Sequence, residues 1–141
     1  MSSDSAKKSV SKGKSGEREF IRTVYRLTDG AVELRRNLRQ SRDGGDDLSG
    51  IRGFSFEVKR FRRVSDALIR DWWCQAQRNA RAQNKTPVLA YRADKQGWKV
   101  AMHPNHYFEE PDVRGCMTMD VELFCQFLLD PQWIKEHGQA A

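Results

Sequence analysis

Hydrophobic residues along this chain recur at two different spacings, which separate predicted helices from predicted strands. Apolar positions three and four residues apart predict amphipathic helices over 15–27, 65–84 and 119–129. Short apolar or alternating runs predict strands over 31–38, 51–60, 87–91 and 98–102, and the chain re-enters regular structure at 46–48. The predicted order is therefore α-β-β-β-α-β-β-α, an α/β fold with a mixed central sheet flanked by helices.

Turn-forming residues mark the ends of these elements. Thr28-Asp29-Gly30 ends the first helix, Arg52-Gly53 turns the chain near the central strand, and Asp94–Gly97 joins a hairpin. Pro131 is expected to stop the final helix. Two internal stretches, 40–45 and 103–116, lack periodicity and are predicted to be loops. We expect a disordered basic tail at 1–12, followed by a single domain over 13–141.

The most specific chemical signal is the segment Phe54–Lys59. Strand side chains alternate between two faces, so Glu57 and Lys59 share the polar face of a strand whose other face is apolar. Asp47 brings a second acid from just upstream. Two carboxylates and an ammonium group at one sheet edge suit a hard divalent cation and a water molecule activated on it. Taken alone, the Glu57 and Lys59 pair would be an ordinary solvated strand face.

The charge of the chain favours a phosphate polymer as its partner. Lys and Arg number 25 against 19 Asp and Glu, which gives a formal charge of +6. The positive charge lies in the first two thirds of the chain, whereas the last third is richer in acids. The basic residues expected to contact phosphates are Lys12, Lys14, Arg18, Arg35, Arg36, Arg39, Arg42, Arg60, Arg62 and Arg63. The alternative for such residues is a surface that is merely solvated.

Several other classes of protein are disfavoured by the sequence. No stretch is long and apolar enough to span a membrane, and the polar N-terminus does not resemble a secretory signal. Three widely spaced cysteines predict neither a disulfide framework nor a zinc site, and Cys74 and Cys125 are expected to be buried free thiols. We therefore expect a cytoplasmic protein. His103 and His106 are assigned to a loop rather than to a metal site, because further ligands are lacking.

Three motifs occur in the order typical of one nuclease superfamily. Lys12-Gly13 is followed by Glu17-Arg18, then by Asp47-Leu48, and then by Glu57-Val58-Lys59. This arrangement resembles the PD-(D/E)xK superfamily, and most closely the archaeal-type Holliday junction resolvases and their phage-encoded relatives. The resemblance covers residues 12–102. Gly45-Asp46 stands where the Pro-Asp pair is expected, so either Asp46 or Asp47 could be the ligand. We take Asp47, because the apolar Leu48 follows it.

The resemblance implies a restriction-endonuclease-like fold and a site for Mg²⁺, with Mn²⁺ as a substitute. Asp47, Glu57 and the backbone carbonyl of Val58 would hold the ion, and Glu17 would complete the first shell or bind a second ion through water. Lys59 would stabilise the attacking hydroxide or the pentavalent transition state. Gln75 in the following helix would also reach the site. At least one of Trp72 and Trp73 in that helix is expected to be core, although stacking on bases is the alternative.

The resemblance also implies a substrate and an assembly. The expected partner is branched DNA, in particular the four-way junction, cut by a homodimer whose two active sites make two symmetric nicks. One alternative is another endonuclease of the same superfamily, of nicking, repair or restriction type, that acts on linear duplex, flap or single-stranded DNA. A second alternative is a DNA-binding protein on the same fold that cuts nothing.

Overall fold

The fold is built from one mixed sheet with helices on both of its faces. The computed structural model describes residues 3–38, 46–104 and 115–138, with side chains from residue 13 onward. The described elements, in chain order, are α1 Ser3–Leu27, β1 Arg35–Arg36, β2 Leu48–Ser49, β3 Phe54–Phe61, α2 Asp66–Ala82, β4 Thr86–Ala93, β5 Lys99–Met102, β6 Met117–Asp120, α3 Val121–Leu128 and α4 Pro131–His137. The predicted α/β class and mixed central sheet are confirmed.

Within the described residues, the six strands lie side by side in the same order as in the sequence. Neighbouring strands are antiparallel except for β3 and β4, which run parallel from Phe54 beside Thr86 to Phe61 beside Ala93. Parallel strands need a crossover connection, which α2 supplies. The predicted hairpin between β4 and β5 is confirmed. Because β2 pairs with β3 only at Leu48 and Phe56, the rest of that edge of β3 is open to side chains.

The two faces of the sheet are covered by different helices. The larger core lies on one face, where Phe20 of α1, Phe124 of α3 and Trp133 of α4 pack with Phe54 and Phe56 of β3. On the other face, α2 packs against the sheet through a second cluster of buried residues, which are Trp72, Trp73, Ala76, Leu89, Tyr91 and Ala101. Trp72 and Trp73 are both buried, which confirms the prediction that at least one of them belongs to the core.

Helix α1 begins earlier than the sequence pattern predicts. It starts at Ser3 instead of near Ser15, and so it includes most of the stretch expected to be a disordered tail. Extending an existing helix adds a hydrogen bond for each residue fixed, and this stretch contains no proline. The helix ends at Leu27, as predicted, and Gly30 adopts a positive φ of 78°. A Cβ atom on Gly16 would overlap that of Arg60, so Gly16 lets α1 approach β3 closely.

Three other local predictions need correction. The strand predicted over 31–38 is reduced to Arg35–Arg36, and Val32 and Leu34 are buried just before it, outside the ladder. The final helix starts at Val121, since Met119 belongs to β6, whose four residues are too short to show a period. Pro131 begins α4 rather than only ending α3. Asp130 caps that helix, and proline is favoured in the first helical turn, where no N–H is needed.

The cysteines divide between surface and interior. Cys125 is buried on α3, as predicted, whereas Cys74 is exposed, because it lies outside the buried stripe of α2. Burial raises the pKa of the Cys125 thiol to about 11. No helix in the described part of the chain combines the length and the apolar character that crossing a membrane requires. The predicted loop 40–45, most of the predicted loop 103–116, and His106 fall outside the described residues.

Candidate active site

Strand β3 presents one carboxylate in the middle of the sheet. Glu57 lies on the face covered by α2, and its residue is only 1% exposed. Ser55, two positions earlier on the same face, is fully buried, while Lys59, two positions later, is partly exposed. The predicted alternation is confirmed, but the polar face is not a solvated surface. Helix α2 covers it, so Glu57 is a buried acid.

Asp47 meets β3 at its open edge. Its backbone N–H donates to the carbonyl of Phe56 at 2.7 Å, and its Oδ2 accepts from the N–H of Val58 at 2.7 Å. In a strand, the N–H and the carbonyl of one residue point towards the same edge. The carbonyl oxygen of Val58 therefore lies on the edge that faces Asp47. This geometry brings together Asp47, Glu57 and the Val58 carbonyl.

The two carboxylates influence each other strongly. Burial, and next the nearby charge of Asp47, raise the pKa of Glu57 to about 8, against the opposing effects of Asn79 and Lys59. Burial also raises the pKa of Asp47, although the hydrogen bond from Val58 opposes that shift. Two adjacent desolvated carboxylates resist full ionisation. A divalent cation would relieve that repulsion, and carboxylate and carbonyl oxygens are the ligands that Mg²⁺ prefers. The donor set thus fits the ion that the sequence predicts.

Helix α2 adds a residue that the sequence analysis did not select. The Nδ2 atom of Asn79 donates a hydrogen bond to Oε1 of Glu57. Gln75, which the resemblance selected, lies one turn earlier on the same helix and is partly buried. The spacing of four residues between Gln75 and Asn79 was a usable signal, since such residues share one face of a helix. The hydrogen bond to the Glu57 carboxylate comes from Asn79.

Asp46 and Asp47 are both buried but have separate partners. Asp46 accepts from Lys85 Nζ at 3.2 Å and from Asn37 Nδ2 at 3.2 Å. Asp47 instead accepts a hydrogen bond from the backbone of β3 and lies beside Glu57. The geometry therefore favours Asp47 as the acid of the site and gives Asp46 a structural role.

Glu17 lies near the pair but is held by a basic residue. Its Oε2 forms an ion pair with Nε of Arg36 at 2.8 Å, and the two side chains are only 12% and 25% exposed. Its charge contributes to the raised pKa of Asp47. Among the residues described with side chains, no three His, Cys, Asp or Glu side chains form a group that could hold a metal ion. The structure brings together Asp47, Glu57 and Lys59, whereas the Glu17 carboxylate is paired with Arg36.

The predicted phosphate contacts fall into three groups. The first group is held in ion pairs within the protein: Arg60 pairs with Asp94 and Glu19, and Arg36 pairs with Glu17. The exposed group consists of Lys14, Arg18, Arg35, Arg62 and Arg63. The side chain of Lys12 and the whole of Arg39 and Arg42 lie outside the described residues.

Arg62 and Arg63 follow the end of β3 and line an open cavity of about 580 Å³, together with Tyr91, Arg92 and Lys99. Tyr91, one of the residues that line the cavity, is the register partner of Lys59 on the neighbouring strand.

The fold and the paired acids define a nuclease of the PD-(D/E)xK class. Residues 8–111 match the model of the family described as "Phage putative PDDEXK endonuclease". The chain belongs to this phage PDDEXK endonuclease family, which confirms the resemblance found in the motifs and the restriction-endonuclease-like fold class. Such nucleases act on DNA and generally use divalent metal ions.

Comparison with solved structures gave a distant similarity. The 1.6 Å structure of Archaeoglobus fulgidus Hjc, a Holliday junction resolvase from an archaeal hyperthermophile, aligns with 13% sequence identity and a TM-score of 0.40. The alignment covers 74% of this chain and 83% of that chain. A search of curated proteins gave no match to the sequence.

Proposed function

We propose that this chain is a Mg²⁺-dependent, structure-selective DNA endonuclease, with the four-way Holliday junction as its substrate. Membership of the PDDEXK endonuclease family supports hydrolysis of phosphodiester bonds in DNA. The observation that carries the metal dependence is the buried pair of Asp47 and Glu57 beside the Val58 carbonyl. A carboxylate pair in a desolvated site is unfavourable until a cation binds, which supports the proposed metal dependence.

Each residue of the site has a separate task in this proposal. Asp47, Glu57 and the Val58 carbonyl hold the ion, and Asn79 fixes the orientation of the Glu57 carboxylate. Mg²⁺, or Mn²⁺ in its place, supplies charge neutralisation at the phosphoryl oxygens and an acidified water. Lys59, next but one to Glu57 on the same face, stabilises the negative charge that develops on the phosphoryl group.

The remaining ligand, Glu17, comes from the opposite side of the sheet. Glu17 lies on α1, whereas Glu57 faces α2, so the two acids approach Asp47 from different directions. In this proposal Glu17 completes the metal shell or contacts a second ion through water. Gln75 is a further candidate for contact with substrate, since it lies one helical turn before Asn79.

The substrate and assembly are proposed from charge and symmetry. A formal charge of +6 favours contacts with the phosphates of DNA over contacts with its bases. Contacts with phosphates therefore select the shape of the DNA in this proposal, and Arg62 and Arg63 beside the open cavity supply some of them. Two symmetric nicks in one junction need two active sites, which is why we propose a homodimer. We propose that it acts in the cytoplasm of a bacterial or phage-infected cell.

The test is cleavage of an end-labelled four-way junction beside a linear duplex of the same sequence. Each DNA is incubated with Mg²⁺ or with EDTA, using the wild type, Glu57→Gln, and Glu122→Gln as a matched control. Glu122 is an exposed glutamate on α3 and lies outside the candidate site. We expect paired symmetric nicks in the junction alone, which are lost in EDTA and in Glu57→Gln but kept in Glu122→Gln.

The other outcomes separate the parts of the proposal. Equal cutting of the linear duplex would retain the nuclease and reject junction selectivity. Cleavage in EDTA would reject the metal dependence. Tight binding of the junction without cleavage, in the presence of Mg²⁺ or Mn²⁺, would contradict an enzymatic role on this substrate.

A further inference from the structure

Arg36, one of the predicted phosphate contacts, lies beside the acids of the proposed metal site. It lies on β1, where it pairs with Leu48, the residue directly after Asp47. Its guanidinium Nε is 2.8 Å from the Glu17 carboxylate, and both side chains are largely buried. Arg36 is therefore a basic group at the border of the metal site, and its partner is one of the proposed metal ligands.

We infer that Arg36 changes partners when substrate binds: it holds the Glu17 carboxylate in the DNA-free protein and moves to a phosphodiester oxygen in the complex, which releases Glu17 to the metal site. This inference rests on the proposed function. It names Arg36 as a positioning residue that couples the binding of DNA to the completion of the metal shell.

Charge balance supports such an exchange. In the DNA-free protein, the positive charge of Arg36 is compensated by Glu17. If a divalent cation took Glu17 as a third carboxylate ligand, Arg36 would lose its anionic partner while remaining largely desolvated, which is costly. A phosphodiester carries the single negative charge that replaces Glu17, and guanidinium groups match phosphate oxygens in geometry. The exchange therefore leaves no buried charge without a counter-charge.

The neighbouring Arg35 offers a natural comparison. It is the adjacent residue of the same two-residue strand, but its side chain is exposed, while that of Arg36 is partly buried. Arg35 has the same charge as Arg36 and nearly the same place in the sequence. Because strand neighbours point to opposite faces, its side chain points away from Glu17, which pairs with Arg36. Any effect specific to the exchange must therefore appear in Arg36 variants and be absent from Arg35 variants.

The first measurement is the affinity for Mn²⁺ in the absence of DNA, by calorimetry, for wild type, Arg36→Gln and Arg35→Gln. Arg36→Gln frees Glu17, and we expect it to bind Mn²⁺ about fivefold more tightly than the wild type. Arg35→Gln should leave this affinity unchanged. Arg36→Gln binding Mn²⁺ no more tightly than the wild type would overturn the inference.

The second measurement is a double-mutant cycle on the affinity for a four-way junction in EDTA, where nothing is cut. Glu17→Gln frees Arg36 and should tighten binding about fivefold in the wild-type background, but not in the Arg36→Gln background. Glu33→Gln, which removes an exposed acid just before β1, controls for the general loss of negative charge. Equal tightening by Glu17→Gln in both backgrounds would contradict the exchange of partners.

Failure of the proposed function gives a different result. If Asp47→Asn binds Mn²⁺ as tightly as the wild type does, the assignment of the metal site is wrong, and the inference about Arg36 is rejected as well. If Asp47→Asn abolishes Mn²⁺ binding while Arg36→Gln has no effect, the metal site stands and only the exchange is rejected.

Discussion

The two faces of β3 are buried to a similar extent but carry opposite chemistry. Towards α1, α3 and α4 the strand presents Phe54, Phe56 and Val58, all of which belong to the main hydrophobic core. Towards α2 it presents Ser55 and Glu57, which are also buried. Burial of an apolar side chain stabilises the fold, whereas burial of a carboxylate costs free energy unless a partner compensates it. One face of the strand therefore stabilises the protein, and the other holds a carboxylate of the proposed metal site at some cost to stability.

The largest effect is expected from removing one of the two buried acids at the polar face of β3 and its open edge. Asp47→Asn or Glu57→Gln should lower cleavage more than about a hundredfold, because each removes a proposed metal ligand. The affinity for DNA in EDTA should be retained, since phosphate contacts come from other residues. Single-turnover cleavage and fluorescence anisotropy measure the two quantities. Cleavage at the wild-type rate in either variant would show that the site is misassigned.

The opposite face should respond through stability. Phe56 is fully buried and contacts the rings of Phe20 and Phe124. Phe56→Ala should therefore lower the free energy of unfolding by about 3–5 kcal/mol, as measured by urea denaturation. Glu57→Gln, at the next position, should not destabilise the metal-free protein. If the two substitutions destabilised it equally, the contrast between the faces would be wrong.

This contrast was only partly predictable from the sequence. The alternation over Phe54–Lys59 placed Glu57 and Lys59 on one face, because a strand has a fixed period of two. The same pattern cannot show what covers a face. Burial of Glu57 depends on α2 crossing the sheet, and the sequence alone suggested a polar surface at the sheet edge. The hydrogen bond from Asn79 follows from that crossing and was missed for the same reason.

The sequence also could not predict which residues that are distant in the chain form contacts in the fold. Glu17 and Arg36 were each selected, as a metal ligand and as a phosphate contact, but nothing in their spacing joins them into an ion pair. Asp46 and Asp47 are adjacent acids that only their tertiary partners distinguish. By contrast, the β4–β5 hairpin and the buried stripe of α2 depend on local periodicity and were predicted well.

The next prediction concerns pH and the metal-free protein. The pKa of Glu57 rises from 4.5 to about 8 on folding, so the folded state binds more protons than the unfolded state between these values. The free energy of unfolding should therefore decrease as the pH rises from about 5 to 8, at a limiting slope of about 1.4 kcal/mol per pH unit. The raised pKa of Asp47 acts in the same direction. Urea denaturation in EDTA at several pH values measures the slope.

Two variants sharpen the pH prediction. Glu57→Gln removes the titrating carboxyl group and should flatten the dependence of stability on pH. Glu122→Gln removes an exposed carboxyl group and should leave the slope of the wild type intact. A wild-type protein that became more stable from pH 5 to pH 8 in EDTA would contradict the sign of the Glu57 shift.

The smallest effect expected on the polar face comes from its supporting residue. Asn79→Ala removes the hydrogen bond to Oε1 of Glu57 but keeps every proposed metal ligand. The affinity for Mn²⁺ should fall by about ten- to a hundredfold, as for other residues that orient a metal ligand. High Mn²⁺ concentration should then restore cleavage in Asn79→Ala but not in Asp47→Asn, because only the latter lacks a ligand. Gln75→Ala, one turn earlier on the same face, is the matched comparison. If Gln75→Ala weakened Mn²⁺ binding and Asn79→Ala did not, the support of Glu57 would have to be reassigned to Gln75.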